Sequence, residues 1–162
     1  MKNVSLLLFL LINIYGCNKD VPCGDANVQM IFTSFALSDL DTIVLRKYKA
    51  ADNYQHLVDT INIFYDSSLY RVSNDTTIVS LADPLKGIKV RYDWQISIPA
   101  INRTVFISDI ISEQGTIKCS NVLEPLGCFC TNKIYSLKKN NVFINLSNQN
   151  PQVESIHIYI EK

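Results

Sequence analysis

Five cysteines carry most of the reactive chemistry of this chain: Cys17, Cys23, Cys119, Cys128 and Cys130. A thiolate can attack, hold a soft metal ion or cross-link, and spacing separates these roles. Cys17 ends an apolar run and stands apart from the rest. The other four allow three pairings as two disulfides. Cys128 and Cys130 flank Phe129 and fall on one face of an extended segment, where a mutual bond is strained because bridged Cα atoms prefer about 5.5–6 Å. Each is therefore expected to bond elsewhere, one to Cys119 and the other to Cys23. The first bridge would close the segment 112–131, and the second would staple the N-terminal segment to the body. Each would contribute about 2–4 kcal/mol. The competing reading is a thiolate site for Zn²⁺ or Cu(I) built from Cys119, Cys128 and Cys130. Zinc pairs usually leave two to four residues between ligands, and no His neighbours this cluster in sequence. The spacing thus favours staples, with no metal and no cofactor.

Other catalytic chemistry finds little support. His56 sits in the polar stretch 50–57, and His157 alternates with Tyr159 opposite Ile156, Ile158 and Ile160. Neither belongs to a recognised motif, and both read as surface residues. The chain has no Gly-x-Ser-x-Gly, no phosphate-binding glycine loop and no His-Glu-x-x-His. No catalytic residues are assigned, and a non-enzyme is expected. For binding, Tyr48, Tyr54, Tyr65 and Tyr70 lie near the ends of expected elements, and Arg46-Lys47-Tyr48-Lys49 forms a small basic-aromatic cluster. Trp94 and Tyr92 fall on an inward face and read as core. Fifteen basic against fifteen acidic side chains give zero net charge, which argues against nucleic acid as a partner.

The elements that must position these residues are strands. In 88–98, Val90, Tyr92, Trp94, Ile96 and Ile98 share one face, while Arg91, Asp93, Gln95 and Ser97 share the other. Period-two alternation of this kind means one buried side and one wet side. Similar segments rich in Ile, Val, Thr, Phe and Tyr occur at 27–36, 42–48, 60–65, 76–81, 103–108, 141–146 and 153–160. Asn- and Asp-rich turns separate them, and Lys138-Lys139-Asn140-Asn141 reads as a hairpin turn. Helical pattern is scarce, with at most one turn in 50–57. Seven to nine short strands without substantial helix predict an all-β chain, an antiparallel β-sandwich of immunoglobulin-like architecture, with a small barrel as the alternative. Long loops are expected at 50–57 and 112–131.

The N-terminus carries an address. Met1-Lys2-Asn3 precedes a mostly apolar run from Val4 to Ile14, a secretory n-region and h-region too short to span a bilayer. Ile14-Tyr15-Gly16-Cys17 resembles the lipobox of bacterial lipoproteins. That resemblance implies a diacylglyceryl group on the Cys17 thiol and cleavage before Cys17, which makes it the new N-terminus. It divides the chain into a signal peptide (1–16), a lipidated tether (17–26) and one sandwich domain (27–162). Lys19-Asp20 resembles the Lys-plus-acidic tag that directs some Bacteroidota lipoproteins to the cell surface. Asp41-Thr42-Ile43, Asp59-Thr60-Ile61 and Asp75-Thr76-Thr77 resemble the O-glycosylation acceptor signal of Bacteroidota envelope proteins, with Thr42, Thr60 and Thr76 as acceptors. An Asp turn followed by β-prone Thr reads equally as a strand start.

Together these features resemble small envelope lipoproteins of Bacteroidota. The resemblance implies an outer-membrane lipoprotein held through its lipid and exposed at the surface. The expected role is a non-catalytic binding or adhesion module for a glycan or protein ligand. A structural envelope component is the alternative, and a metal-binding protein or hydrolase comes further behind.

Overall fold

The structure, a computed structural model, describes residues 22–24, 27–68, 70–74, 76–79, 88–119, 128–130, 132–147 and 155–162. The expected signal peptide, Cys17 and the Lys19-Asp20 tag lie outside the described residues.

The chain is all-β. Its strands are β1 (Asn27–Thr33), β2 (Thr42–Lys49), β3 (Leu57–Phe64), β4 (Tyr70–Ser73), β5 (Thr76–Val79), β6 (Ile88–Lys89), β7 (Tyr92–Ile98), β8 (Arg103–Glu113), β9 (Ile117–Cys119), β10 (Cys128–Cys130), β11 (Lys133–Lys139), β12 (Val142–Asn145) and β13 (Ser155–Glu161). One sheet has the order β13-β1-β5-β4, with β6 also on β1, and the other runs β12-β11-β8-β7-β2-β3. The two form the expected sandwich. One pair departs from antiparallel order, since β1 and β13 run parallel.

Alternation explains the layering. In the six-stranded sheet Ile43, Leu45, Trp94, Ile96, Val105 and Ile107 point inward and are buried. They meet Met30, Phe32, Val79, Ile158 and Ile160 from the smaller sheet in one core cluster. Trp94 satisfies its indole N–H on the Lys89 carbonyl at 2.9 Å. The expected strand 88–98 is broken by a turn at 90–91, which lets β6 join one sheet and β7 the other.

Asparagines make the turns. Asn140 and Asn141, at φ 49° and 65°, link the paired Lys139 and Val142. Two left-handed residues between antiparallel strands make a type I′ turn, where Asn is well tolerated. The hairpin lies where the sequence placed it, but β11, before the turn, is an additional strand.

The expected loop 112–131 carries strand at both of its described ends. β8 extends to Glu113, and β9 pairs with β10. The N-terminal segment docks here as well. Pro22 bridges Thr116, Cys23 N–H donates to the Gly115 carbonyl at 3.0 Å, and the Gln114 amide donates to the Cys23 carbonyl. Asn132 ties the same point together, accepting from Gly115 N–H at 2.9 Å and donating to the Gly24 carbonyl at 2.8 Å.

The alternation has a measurable consequence. Ile96→Ala should cost about 2–5 kcal/mol of unfolding free energy, because it opens a cavity in the core. Its neighbour Gln95→Ala should cost less than about 1.5 kcal/mol. Denaturant titration of the two variants checks this, and equal losses would refute the assigned faces.

Candidate functional site

The residues with binding chemistry gather on the outer face of the six-stranded sheet. Strand register aligns them in two rows. Thr60, Arg46, Gln95 and Phe106 lie side by side across β3, β2, β7 and β8, and Asn62, Val44, Ser97 and Thr104 form the next row. With strands about 4.8 Å apart and alternate residues about 6.8 Å apart, the floor measures roughly 14 by 7 Å.

Its polar groups bond to one another. Tyr48 Oη donates to Gln95 Oε1 at 3.0 Å, and Gln95 Nε2 donates to Ser97 Oγ at 3.4 Å. Arg46 Nη1 donates to the same Ser97 oxygen at 3.4 Å. Ser97 thus accepts twice, so its own proton turns toward Thr104 Oγ1, 3.5 Å away.

An aromatic wall bounds the floor. Tyr54 packs edge-on against Tyr48 at 5.3 Å and against Phe106 at 5.0 Å between ring centroids. Tyr54 belongs to the loop 50–56, whose backbone is unusual. Ala51, Asn53 and Tyr54 adopt φ of 59°, 54° and 62°, and neither Ala nor Tyr favours that region. Two carboxylates hold the loop. Asp52 accepts from Gln55 N–H at 3.2 Å and His56 N–H at 3.1 Å, and contacts His56 Nδ1 at 2.9 Å. Asp93 accepts from Ala51 N–H at 3.0 Å.

Asp93 corrects a sequence expectation. It lies on the outward face read as wet, yet it is only 4% exposed. The loop folds over it and uses its carboxylate as an internal acceptor. Burial pushes the Asp93 pKa up, against the backbone N–H groups of Ala51 and Asp109, and the Asp109 and Asp52 carboxylates add to the rise. Burial also raises the pKa of Tyr54, whose hydroxyl makes no well-formed hydrogen bond and has Ser108 as a polar neighbour.

The floor opens at one end into a shallow depression of about 500 Å³, lined by Ile101, Asn102, Arg103, Thr104, Asn140 and Lys162. Lys162 Nζ is held at 2.7 Å by Asp39, which also accepts from Ala36 N–H. The Lys162 and Ala36 donors hold the Asp39 carboxyl below the usual carboxylate range.

The other sequence candidates scatter. Tyr70 is core, donating to the Leu40 carbonyl at 2.9 Å, and burial pushes its pKa up to about 12. Tyr65 packs edge-on against it, with ring centroids 4.9 Å apart. Lys47 turns away from the floor, onto Asp59 and the Tyr92 ring. His56 is exposed and His157 half-buried. Thr60 is exposed on β3, whereas Thr42 and Thr76 are half-buried at strand starts. Cys23, 2% exposed, is disulfide-bonded. Cys119 lies opposite Cys128 in the β9–β10 ladder, and Cys130 lies opposite Ile117. The side chains of these three cysteines lie outside the described ones. Among the described residues no group of three His, Cys, Asp or Glu converges to hold a metal ion. Sequence reasoning singled out Arg46, Tyr48 and Tyr54. It missed Gln95, Ser97, Thr104 and Phe106 as site residues, although the alternation in β7 already set two of them outward.

Asp93 and Asp39 should titrate in opposite directions. The neutral Asp93 carboxyl is favoured in the fold, so its contribution is present below the ordinary carboxyl pKa and is lost as pH rises through the raised value. The Asp39 contribution is present above the ordinary value and is lost as pH falls through the depressed one. Carboxyl-carbon NMR should place the Asp93 midpoint above, and the Asp39 midpoint below, that of an unperturbed Asp. Asp93→Ala should also leave the Ala51 amide unpaired, costing about 1–3 kcal/mol and accelerating its hydrogen exchange.

Comparison with known proteins finds no matching family model, no matching curated protein and no matching solved structure.

Proposed function

We propose that this chain is a lipid-anchored cell-envelope protein acting as a non-catalytic surface binding or adhesion module, with the outer face of the six-stranded sheet as its ligand surface. The observation that carries the reading is the chain of hydrogen bonds from Tyr48 through Gln95 and Ser97 to Arg46 and Thr104. Solvent-facing polar side chains bonded to each other lose rotamer freedom for bonds that water could replace. Such fixed geometry contributes little to folding, but it lowers the ordering cost of a bound partner.

The attachment geometry supports display. The N-terminal segment docks at Gln114–Thr116, just past the end of β8, whereas Arg103 and Thr104 stand at its beginning. Eleven strand residues separate these points by about 30 Å. Cys17 lies five residues before Pro22, a reach of about 17 Å when extended. A lipid on Cys17 would keep the docking end near the membrane and turn the depression beside Thr104 away from it. Two disulfides among Cys23, Cys119, Cys128 and Cys130 would brace that docking end. The register favours Cys119 with Cys128 and Cys23 with Cys130.

Three measurements test this. Palmitate labelling in the producing cell should vanish in Cys17→Ala, and persistent label would remove the anchor. Thiol titration of the unreduced, denatured protein should find none of the four remaining cysteines free. A glycan and protein array probed with the full chain in detergent should give a ligand whose binding drops at least about tenfold in Tyr48→Ala or Gln95→Ala. Binding unaffected by both variants would place the ligand surface elsewhere.

A further inference from the structure

We infer that the ligand of this face is an acidic, carboxylate-bearing oligosaccharide, anchored by Arg46 and running across Ser97 and Thr104 toward Arg103. The inference rests on the ligand surface proposed above and names its chemistry.

Arg46 is the central cation of the floor. Among the described residues no carboxylate lies within ion-pair distance of its guanidinium, and Ser97 Oγ is its hydrogen-bond partner. The nearby acids are occupied. Asp93 is buried and accepts from Ala51 N–H, Asp59 pairs with Lys47, and Asp109 pairs with Lys138. Four guanidinium N–H bonds therefore remain free to donate, in the fork geometry that matches a carboxylate.

The rest of the network also points outward as donors. Gln95 keeps one amide N–H free after bonding Ser97, and Thr104 can donate its hydroxyl proton after accepting from Ser97. At the open end the depression adds Arg103, which starts β8 on the parity of Val105 and Ile107, opposite Ile98, and so lines the depression at the end of the sandwich and not the floor itself. It likewise lacks a carboxylate partner among the described residues, and the Asn102 and Asn140 amides join it. Its lining contains no acidic side chain. Donors in excess, two unneutralised guanidiniums and an aromatic wall of Tyr48, Tyr54 and Phe106 match a ligand of sugar rings with hydroxyls and carboxylates. An uncharged glycan would leave both guanidiniums without a counter-charge.

The test is calorimetric titration of the full chain in neutral detergent with trigalacturonate and with its fully methyl-esterified form, which keeps the rings and removes the charge. Trigalacturonate should bind, and the ester should bind at least about tenfold more weakly. Arg46→Gln should lose at least about tenfold affinity, Arg46→Lys should lose less, and Arg103→Gln should lose several-fold. The control removes the same charge from the other sheet: Arg71 is exposed on β4, and Arg71→Gln should bind as the parent does. Thermal melts of each variant separate lost binding from lost folding. Equal binding of acid and ester, or undiminished binding by a folded Arg46→Gln, overturns the inference. If a neutral glycan or a protein binds instead and Tyr48→Ala abolishes it, the acidic ligand fails while the binding face stands. If nothing binds this face, both fail.

Discussion

Burial of one face of the six-stranded sheet constrains everything on the opposite face. Side chains alternate along a strand wherever its ladder is regular, so a slip of one residue in β2 or β7 would carry Leu45 or Trp94 into water and Arg46 or Gln95 into the core. Seating Trp94 alone against the smaller sheet is worth several kcal/mol, far more than any surface hydrogen bond. The register of β2, β7 and β8 is therefore set from inside. The alignment of Arg46 with Gln95, and of Ser97 with Thr104, follows from it without further cost.

The loop 50–56 shows the opposite balance. Left-handed backbone at Ala51 and Tyr54 costs of order 1–3 kcal/mol each, and burying the Asp93 carboxyl adds a desolvation penalty. Several local bonds offset this. Ala51 N–H reaches Asp93, Lys49 N–H reaches the His56 carbonyl at 3.1 Å, and Asp52 collects two backbone donors. The gain is a Tyr54 ring fixed against Tyr48 and Phe106, which gives the open sheet face a wall. A flexible polar loop of the same length would have avoided the strain and left that face flat.

Sequence reading succeeded where one periodicity ran unbroken. The Trp94 face of β7 and the Asn140-Asn141 turn could be placed from residue types alone, because each rests on local physics. β11 could not. Its ladder with β8 shifts register twice, between Ile134 and Ser136 and between Ser136 and Lys138, so Ser136 and Leu137 are both buried and alternation fails. β9 and β10 are three residues each, too short for any period to show. The parallel pairing of β1 with β13 joins segments more than a hundred residues apart, and no local signal encodes it. Asp93 has the sequence signature of a solvated residue because its own strand places it outward, and only the fold of a distant loop buries it. The site was thus half legible: Arg46, Tyr48 and Tyr54 stood out by type, while Gln95, Ser97 and Thr104 acquire meaning only as neighbours across strands.

The same topology separates the point where the N-terminal segment docks from the polar floor. β8 is the longest strand and takes part in both ends of the molecule. Just past its last residue, the N-terminal segment is fastened through Cys23 and Gly24: the Gln114 and Asn132 amides donate to their carbonyls, and Cys23 N–H donates to the Gly115 carbonyl. At its first residues, Arg103 and Thr104 open onto the depression that continues the polar floor. Pulling on the N-terminus would load the far end of β8 and its ladder with β11, not the Arg46–Ser97–Thr104 network. A network whose bonds are individually weak in water keeps its geometry best where little force reaches it. Placing the fastening at one end of a long central strand and the donors at the other meets that requirement with a single element.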